Sequence, residues 1–235
     1  MRRKRSSVSS EETIEEIVRE RRKYRVVDVF LGYEKIYEFG KVLRKRFNRY
    51  FDRVVFEALD TGRRRGKVLD LGTPFALCGI NLAKQSGDFG ITSLQEGKKV
   101  TEVSRKFSED EMVEIKRVLG KPEELPFRDQ SFDLVVSGFD MHRWGDPPKA
   151  LREIKRVLKK RGRIVIYDLR RDRWRMACIP LLLYCWLVAG LWLFRRTRLA
   201  FKSSYTPKEI EKLTDCLELK GWEVEGKGCF VVLKN

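Results

Sequence analysis

The stretch KVLDLGTPFALCG, residues 67–79, holds the spacing with the clearest chemical use. An apolar run reaches an acid, Asp70, and then a glycine, Gly72, the pattern of a strand feeding a nucleotide-binding turn. Glycine lets backbone approach a ligand and takes φ values closed to other residues. Pro74 and Ala76 stand where further glycines would be expected, and proline has no N–H to give. A second centre is His142, the single histidine of the chain and its one candidate general base by type. Its plainer role is a hydrogen-bonded loop histidine beside Trp144. Tyr167 and Asp168 end a later strand near the same expected cleft, with an ordinary structural role as the plainer reading.

These residues need elements to hold them. The first ten residues read as a disordered basic arm. Ser9 and Glu12 form a capping box that opens a charged helix to about Lys23. One longer helix is expected over 34–59, with Gly62 as its stop. From Lys67 the pattern changes to strand–helix alternation. Strands are expected at 68–71, 89–94, 113–119, 132–137 and 163–167, and helices at 77–84 and 98–107. Asp146 and Pro147 open a further helix as N-cap and first residue. Thr206, Pro207 and Glu209 open another, and strands at 222–224 and 229–233 form a final antiparallel pair. Repeated strand–helix units imply a doubly wound sheet with ligands at the carboxyl ends of its strands. The expected division is a basic arm with helices over 1–65 and a single α/β domain over 66–235.

Composition narrows the partners. The chain has 235 residues, 42% apolar, which supports a real core, and a net charge of +17 from 51 basic and 34 acidic residues. Such a field favours an anionic partner: nucleic acid, an anionic membrane surface or a phosphorylated ligand. With 36% of residues charged, a charge-rich surface of the thermophilic kind explains it equally simply. Five cysteines without CxxC spacing argue against a disulfide framework or a zinc site, so no metal site is expected. They fit a reducing cytoplasm. The basic N-terminus is followed by no apolar stretch of the secretory kind.

The segment GKPEELPFRDQSFDLVVSGFDMHRWGDPPKALREIKRVLKKRGRIVIYDLRRD, residues 120–172, resembles the class I S-adenosylmethionine-dependent methyltransferases, in the branch of small single-domain enzymes (methyltransferase type 11-like). SSYTPKEIEKL, residues 203–213, is similar to the helix before that family's terminal strand pair. The likeness covers roughly residues 66–235. It implies an α/β fold with a doubly wound, mostly parallel, seven-stranded Rossmann-like sheet, to which the residues themselves add an N-terminal helical extension and an apolar insertion after the fifth strand. It also implies S-adenosylmethionine as cofactor.

Carried over by position, the cofactor contacts would be Asp70, Gly72, Thr73, Gln95 or Glu96, Pro122, Glu123 and Ser137; His142 stays a candidate base by residue type alone. Three positions depart from the family. Pro74 and Ala76 replace two glycines of its D-x-G-x-G-x-G turn. Gln95 stands where an acid usually holds the ribose hydroxyls, with Glu96 next to it. Lys121 stands where an aspartate meets the adenine amino group, and a lysine accepts no hydrogen bond. Two readings follow: an active methyltransferase with a drifted pocket, or a catalytically silent relative kept as a binding scaffold at a membrane surface. The first implies methyl transfer to a small, lipophilic acceptor. Ser137 to Asp140 replace the motif of nucleobase amino-methylation, and no stacking-aromatic RNA module is visible, so nucleic acid ranks last as a partner.

The run MACIPLLLYCWLVAGLWLF, residues 176–194, has nineteen residues and no charge. As one helix it would cover about 28 Å, near the roughly 30 Å of a bilayer core. A single crossing would pull apart the strands that flank it, and Pro180 and Gly190 interrupt it. Three readings remain: a lid over the cleft, a homodimer interface, or a hairpin dipping into one leaflet. Eight basic and two acidic residues precede it over 159–175, and four basic and none acidic follow over 195–202. Trp174, Trp186 and Trp192 suit an interface. These flanks fit a peripheral position on an anionic cytoplasmic leaflet.

Overall fold

The computed structural model describes residues 9–22, 32–173 and 179–235. Most of the basic arm (1–8), Lys23, Trp174 and the first three residues of the apolar run (176–178) lie outside the described residues.

The first helix, α1 (Ser10–Arg22), begins as the capping box requires: Ser9 N–H donates to Glu12 Oε2 at 2.9 Å and Glu12 N–H to Ser9 Oγ at 3.2 Å. The single helix expected over 34–59 is instead two, α2 (Tyr33–Arg46) and α3 (Asn48–Asp60). The break falls at Phe47, which has φ −115° and ψ 1°. No proline or glycine causes it. The Phe47 ring turns into the core at 7% exposure, edge-on to Tyr184, and burial of that ring outweighs the lost helical continuity.

Seven strands follow: β1 (Gly66–Leu71), β2 (Phe89–Gln95), β3 (Lys116–Leu119), β4 (Phe132–Gly138), β5 (Leu158–Leu169), β6 (Glu223–Lys227) and β7 (Phe230–Lys234). They form one sheet in the order β3-β2-β1-β4-β5-β7-β6. All pairs from β3 to β5 are parallel, and β7 runs antiparallel to both neighbours. Strand β3 starts three residues later than expected, after a turn through Met112 at φ +53°.

Period-two alternation divides the strands between two cores. Val68, Leu134 and Val136 face α3, α4 (Leu77–Gln85) and α5 (Lys98–Asp110), where Val54, Leu82 and Phe107 meet them. Leu69, Val135 and Ile164 face α6 (Pro147–Val157), α8 (Pro207–Cys216) and α1, against Leu151, Ile154, Leu213 and Ile17. Strand order reverses between β1 and β4, so the ligand crevice of an open α/β sheet should lie at their carboxyl ends.

Residues 179–194 of the apolar run lie within α7 (Ile179–Ser203), which alone among the described residues has the length and composition of a membrane span. It is not straight. Ala189 (φ −140°) and Gly190 (φ +69°, ψ −165°) break it, and Thr197 Oγ1 lies 3.5 Å from Cys185 Sγ. Twelve residues of continuous helix would separate those two by about 18 Å. α7 is therefore a helical hairpin with arms 179–188 and 191–203, and Gly190 supplies the turn. Pro180 falls in the first turn, where proline is tolerated. Leu182, Cys185 and Leu193 face inward. Trp192 meets Phe39 of α2 edge-on at 5.2 Å, and Tyr184 hydroxyl donates to the Arg46 carbonyl at 3.1 Å.

Candidate functional site at the carboxyl ends of β1 and β4

β1 delivers Asp70 and Leu71 to the crevice, and Gly72 turns the chain with φ +68°. Gly72 N–H donates to the Leu94 carbonyl of β2 at 3.2 Å. Pro74 begins a short 3-10 turn over 74–76, and the positive φ values fall on Phe75 and Ala76, both at +57°. Ala76 thus keeps a glycine-type backbone without glycine. The Phe75 ring points away from the crevice. It lies edge-on to Phe39 of α2 and Phe107 of α5, at 6.0 Å and 5.9 Å. Neither aromatic bulk nor the proline ring closes the approach to Gly72.

An acid does stand over that glycine. Asp140, two residues beyond β4, places Oδ2 where a Cβ on Gly72 would come within 2.0 Å. Its carboxylate accepts from Trp144 Nε1 at 2.9 Å and Arg143 Nη1 at 3.1 Å. Below the turn lies a second acid. Asp70 accepts from Gly79 N–H at 2.9 Å through Oδ2, and its buried Oδ1 has no hydrogen-bond partner among the described residues.

Both carboxyls are buried, and burial is the main cause of raised pKa values. Asp70 rises to about 7, opposed by the Thr73 hydroxyl and the Gly79 N–H and helped by the Asp140 charge. Asp140 rises to about 6, opposed by Arg143 and Trp144 and helped by Glu96. Two buried carboxyls shifted in this way at a strand-end crevice mark a candidate functional site.

His142 occupies a short 3-10 turn just after Asp140, and β5 carries Asp168 to it. His142 Nδ1 lies 2.9 Å from Asp168 Oδ1 and 3.1 Å from Oδ2. Asp168 also accepts backbone N–H groups from His142 and Leu169, both at 2.7 Å. The carboxylate fixes the ring and engages Nδ1, so Nε2 is the nitrogen that can face a reactant. Tyr167 instead joins an aromatic cluster with Phe139 and Phe230, and burial raises its pKa.

The other expected cofactor residues divide by what their side chains touch. Thr73 Oγ1 accepts from Gly138 N–H at 3.0 Å, and Ser137 Oγ donates to the Leu71 carbonyl at 2.8 Å. Both hydroxyls therefore stitch β1 to β4. Gln95 is buried and donates through Nε2 to Ser93 Oγ at 2.7 Å and more weakly to the Thr73 carbonyl at 3.4 Å. Glu96 is exposed beside it, close enough for its charge to act on Asp140. Glu123 Oε1 accepts from Gly145 and Asp146 N–H, at 2.5 Å and 3.0 Å, and so braces the loop before α6. Pro122 is buried, and Lys121 is exposed next to it.

Sequence reasoning missed Asp140 as a site residue. Its one signal was an acid two residues past a strand end, followed four residues later by Trp144. His142 and Asp168 stand apart in the sequence, and the β4–β5 register Gly138↔Tyr167 brings them together.

S-adenosylmethionine carries an α-ammonium and a sulfonium, so the donor set here fits it. The buried Asp70 Oδ1, which has no hydrogen-bond partner among the described residues, and the Asp140 carboxylate over Gly72 are the acceptors nearest the turn that its cationic methionyl end would meet. Glu96 and the carboxamide of Gln95 offer acceptors to ribose hydroxyls.

Comparison with known proteins finds methyltransferases. The methyltransferase domain family model matches residues 69–166. The demethylmenaquinone methyltransferase of Thermotoga maritima is 35% identical over 103 residues, 44% of this chain and 43% of the relative. An uncharacterized methyltransferase, YcgJ, of Bacillus subtilis is 39% identical over 135 residues, 53% of this chain and 52% of the relative. The chain thus spans about half the length of these curated relatives. Among solved structures, the plantazolicin methyltransferase BpumL, in complex with a triazolic desmethylPZN analog and SAH, superposes with a TM-score of 0.68. It is 15% identical, over 93% of this chain and 83% of that one.

Proposed function

We propose that this chain, which carries a methyltransferase domain of the class I S-adenosylmethionine-dependent kind, transfers a methyl group to a small lipophilic acceptor. The observation that carries the reading is the pair of buried carboxyls, Asp70 and Asp140, on either side of a glycine turn at the switch point of the sheet. S-adenosylmethionine, when bound, supplies a methyl made electrophilic by its sulfonium.

The chain's own residues do the rest. Asp140 receives a cationic group over Gly72. The backbone turn at Gly72 is held to β2 by its N–H bond to the Leu94 carbonyl, and Asp140 must shift from above it as the cofactor enters. His142, oriented through Nδ1 by Asp168, accepts at Nε2 a proton from the acceptor's nucleophilic atom. Loss of that proton is needed only for an acceptor that is neutral before attack. Alignment of the reactants in a closed site supplies much of the remaining rate.

The acceptor's character is read from two observations. The helix α7 packs against the turn that carries His142, so apolar surface adjoins the reacting end. Relatives named demethylmenaquinone methyltransferase point to a lipophilic acceptor of the quinone type. The test is label transfer from methyl-labelled S-adenosylmethionine to a panel of lipophilic phenols and quinols, followed by organic extraction. Label in the organic phase, lost in His142→Ala, is the expected result. Cofactor binding without transfer to any acceptor would favour the silent scaffold instead.

A further inference from the structure

The outer face of the α7 hairpin is exposed, with Trp192 at its edge also meeting Phe39 and Arg196. Seven of the exposed large apolar side chains lie on it: Ile179, Leu183, Trp186, Leu187, Leu191, Trp192 and Leu199. Leu187 and Leu191 flank the Gly190 turn, with 69% and 51% of their surface exposed. Scattered single apolar residues need no explanation, but a contiguous apolar face of this kind marks an interaction site.

Charge selects the occupant. From residue 173 to residue 208 the sequence contains no aspartate or glutamate. Arg195 and Arg198, on the second arm, are exposed and form no ion pair among the described residues. Arg49 of α3 stacks over Tyr184 on the first arm, at 5.4 Å from the ring centroid, and the exposed Arg46 adjoins it. An apolar tip with two tryptophans and a cationic rim matches the boundary of an anionic bilayer, where tryptophan and leucine enter the acyl region and arginine meets lipid phosphate. A protein partner of equal fit would need an apolar groove with an acidic collar; the bilayer supplies both without a dedicated shape. The arms are short: 179–188 spans about 15 Å, half the thickness of a hydrocarbon core. Both ends of the hairpin return to the same side, as the strands flanking it demand.

We propose that the α7 hairpin is a monotopic anchor that seats the protein on an anionic lipid bilayer, with residues 186–192 inserted into the near leaflet and Arg195, Arg198, Arg46 and Arg49 at the headgroups. This rests on the hairpin's own surface and not on methyl transfer.

The test uses the full chain and vesicles of phosphatidylcholine with and without one quarter phosphatidylglycerol, at about 0.1 M salt, without cofactor. The wild type should co-sediment with the anionic vesicles and much less with neutral ones. Bromine-labelled acyl chains should quench part of its tryptophan fluorescence, and Trp186→Phe with Trp192→Phe should remove that quenching. Leu187→Asp with Leu191→Asp should lower partitioning at least tenfold, with an unchanged thermal melting curve. Arg195→Glu with Arg198→Glu should abolish the preference for anionic vesicles. Failure of the folded wild type to bind anionic vesicles would overturn the proposal. So would a Leu187/Leu191 variant that binds as well as wild type. A variant that turns a dimer into a monomer in sedimentation, with vesicle binding unaltered, would assign the face to a second copy of the chain. None of these readouts involves cofactor, so the proposal and the methyl-transfer reading fail independently.

Discussion

Asp140 Oδ2 stands so close over Gly72 that a β-carbon on the glycine would approach it to 2.0 Å. The glycine is needed twice at this position. Its φ of +68° is left-handed, and the space above it is already taken by a carboxylate. Gly72→Ala should therefore destabilise the fold by about 1–3 kcal/mol and weaken cofactor binding more than that loss explains, because Asp140 must leave its place. Chemical denaturation and calorimetry on the same variant separate the two effects.

Ala76 gives the opposite sign. It is fully buried at φ +57° with no glycine's freedom. Ala76→Gly relieves left-handed backbone strain of about 1 kcal/mol, offset in part by a more flexible unfolded chain. A rise in denaturation midpoint is expected, with the cofactor affinity retained. Pro74→Gly should instead loosen the 3-10 turn and lower the midpoint.

The raised carboxyls make stability depend on pH. Asp70 titrates near about 7 and Asp140 near about 6 in the folded chain, against an ordinary 3.8. The folded state holds protons that the unfolded state has already released, so their contribution is complete below about pH 4 and is lost as pH rises through 6 and 7. Without cofactor, these two groups should make the folded protein less stable at pH 8 than at pH 5, on the order of a few kcal/mol. A cationic ligand should reduce that loss, and its affinity should tighten across the same window. Asp140→Asn should flatten part of the dependence. Urea titrations at several pH values check all three.

His142 and Asp168 should separate binding from turnover. His142→Ala leaves the carboxyl pair over Gly72 intact, so the cofactor dissociation constant should change less than about threefold while kcat falls by roughly 10²–10⁴. Asp168→Asn keeps the size of the side chain but alters the tautomer that Nδ1 must present, and it should cost nearly as much in kcat. An acceptor ionised before it binds should be insensitive to both.

Much of the fold was legible in residues 120–172, because cap, strand and helix signals there agree with one another. Asp146 and Thr206 cap their helices as spacing alone required. The break at Phe47 was not legible. A phenylalanine gives no local signal of a helix end, and its turn into the core is decided by Tyr184, far along the chain. The hairpin was half visible: Gly190 marked a break, but only the contact between Cys185 and Thr197 shows that the arms fold back. In the site, Asp70 and Gly72 were readable from the turn they define. Asp140 was not, since its position over Gly72 depends on how β1 and β4 meet. The pairing of His142 with Asp168 likewise exists only once β4 and β5 are in register. The hydroxyls of Thr73 and Ser137 bond backbone across the β1–β4 seam, a pairing that exists only once those strands meet.

The central claim is that the carboxyl pair around Gly72 is built to receive the cationic end of S-adenosylmethionine. The direct measurement is calorimetric titration of the wild type and Asp140→Asn with S-adenosylmethionine at pH 8. Saturable one-to-one binding by the wild type is expected, with at least tenfold weaker binding by Asp140→Asn, whose melting temperature stays the same or rises. Absence of heat and of any thermal shift for the wild type at millimolar cofactor, or equal affinity in the two proteins, would contradict it.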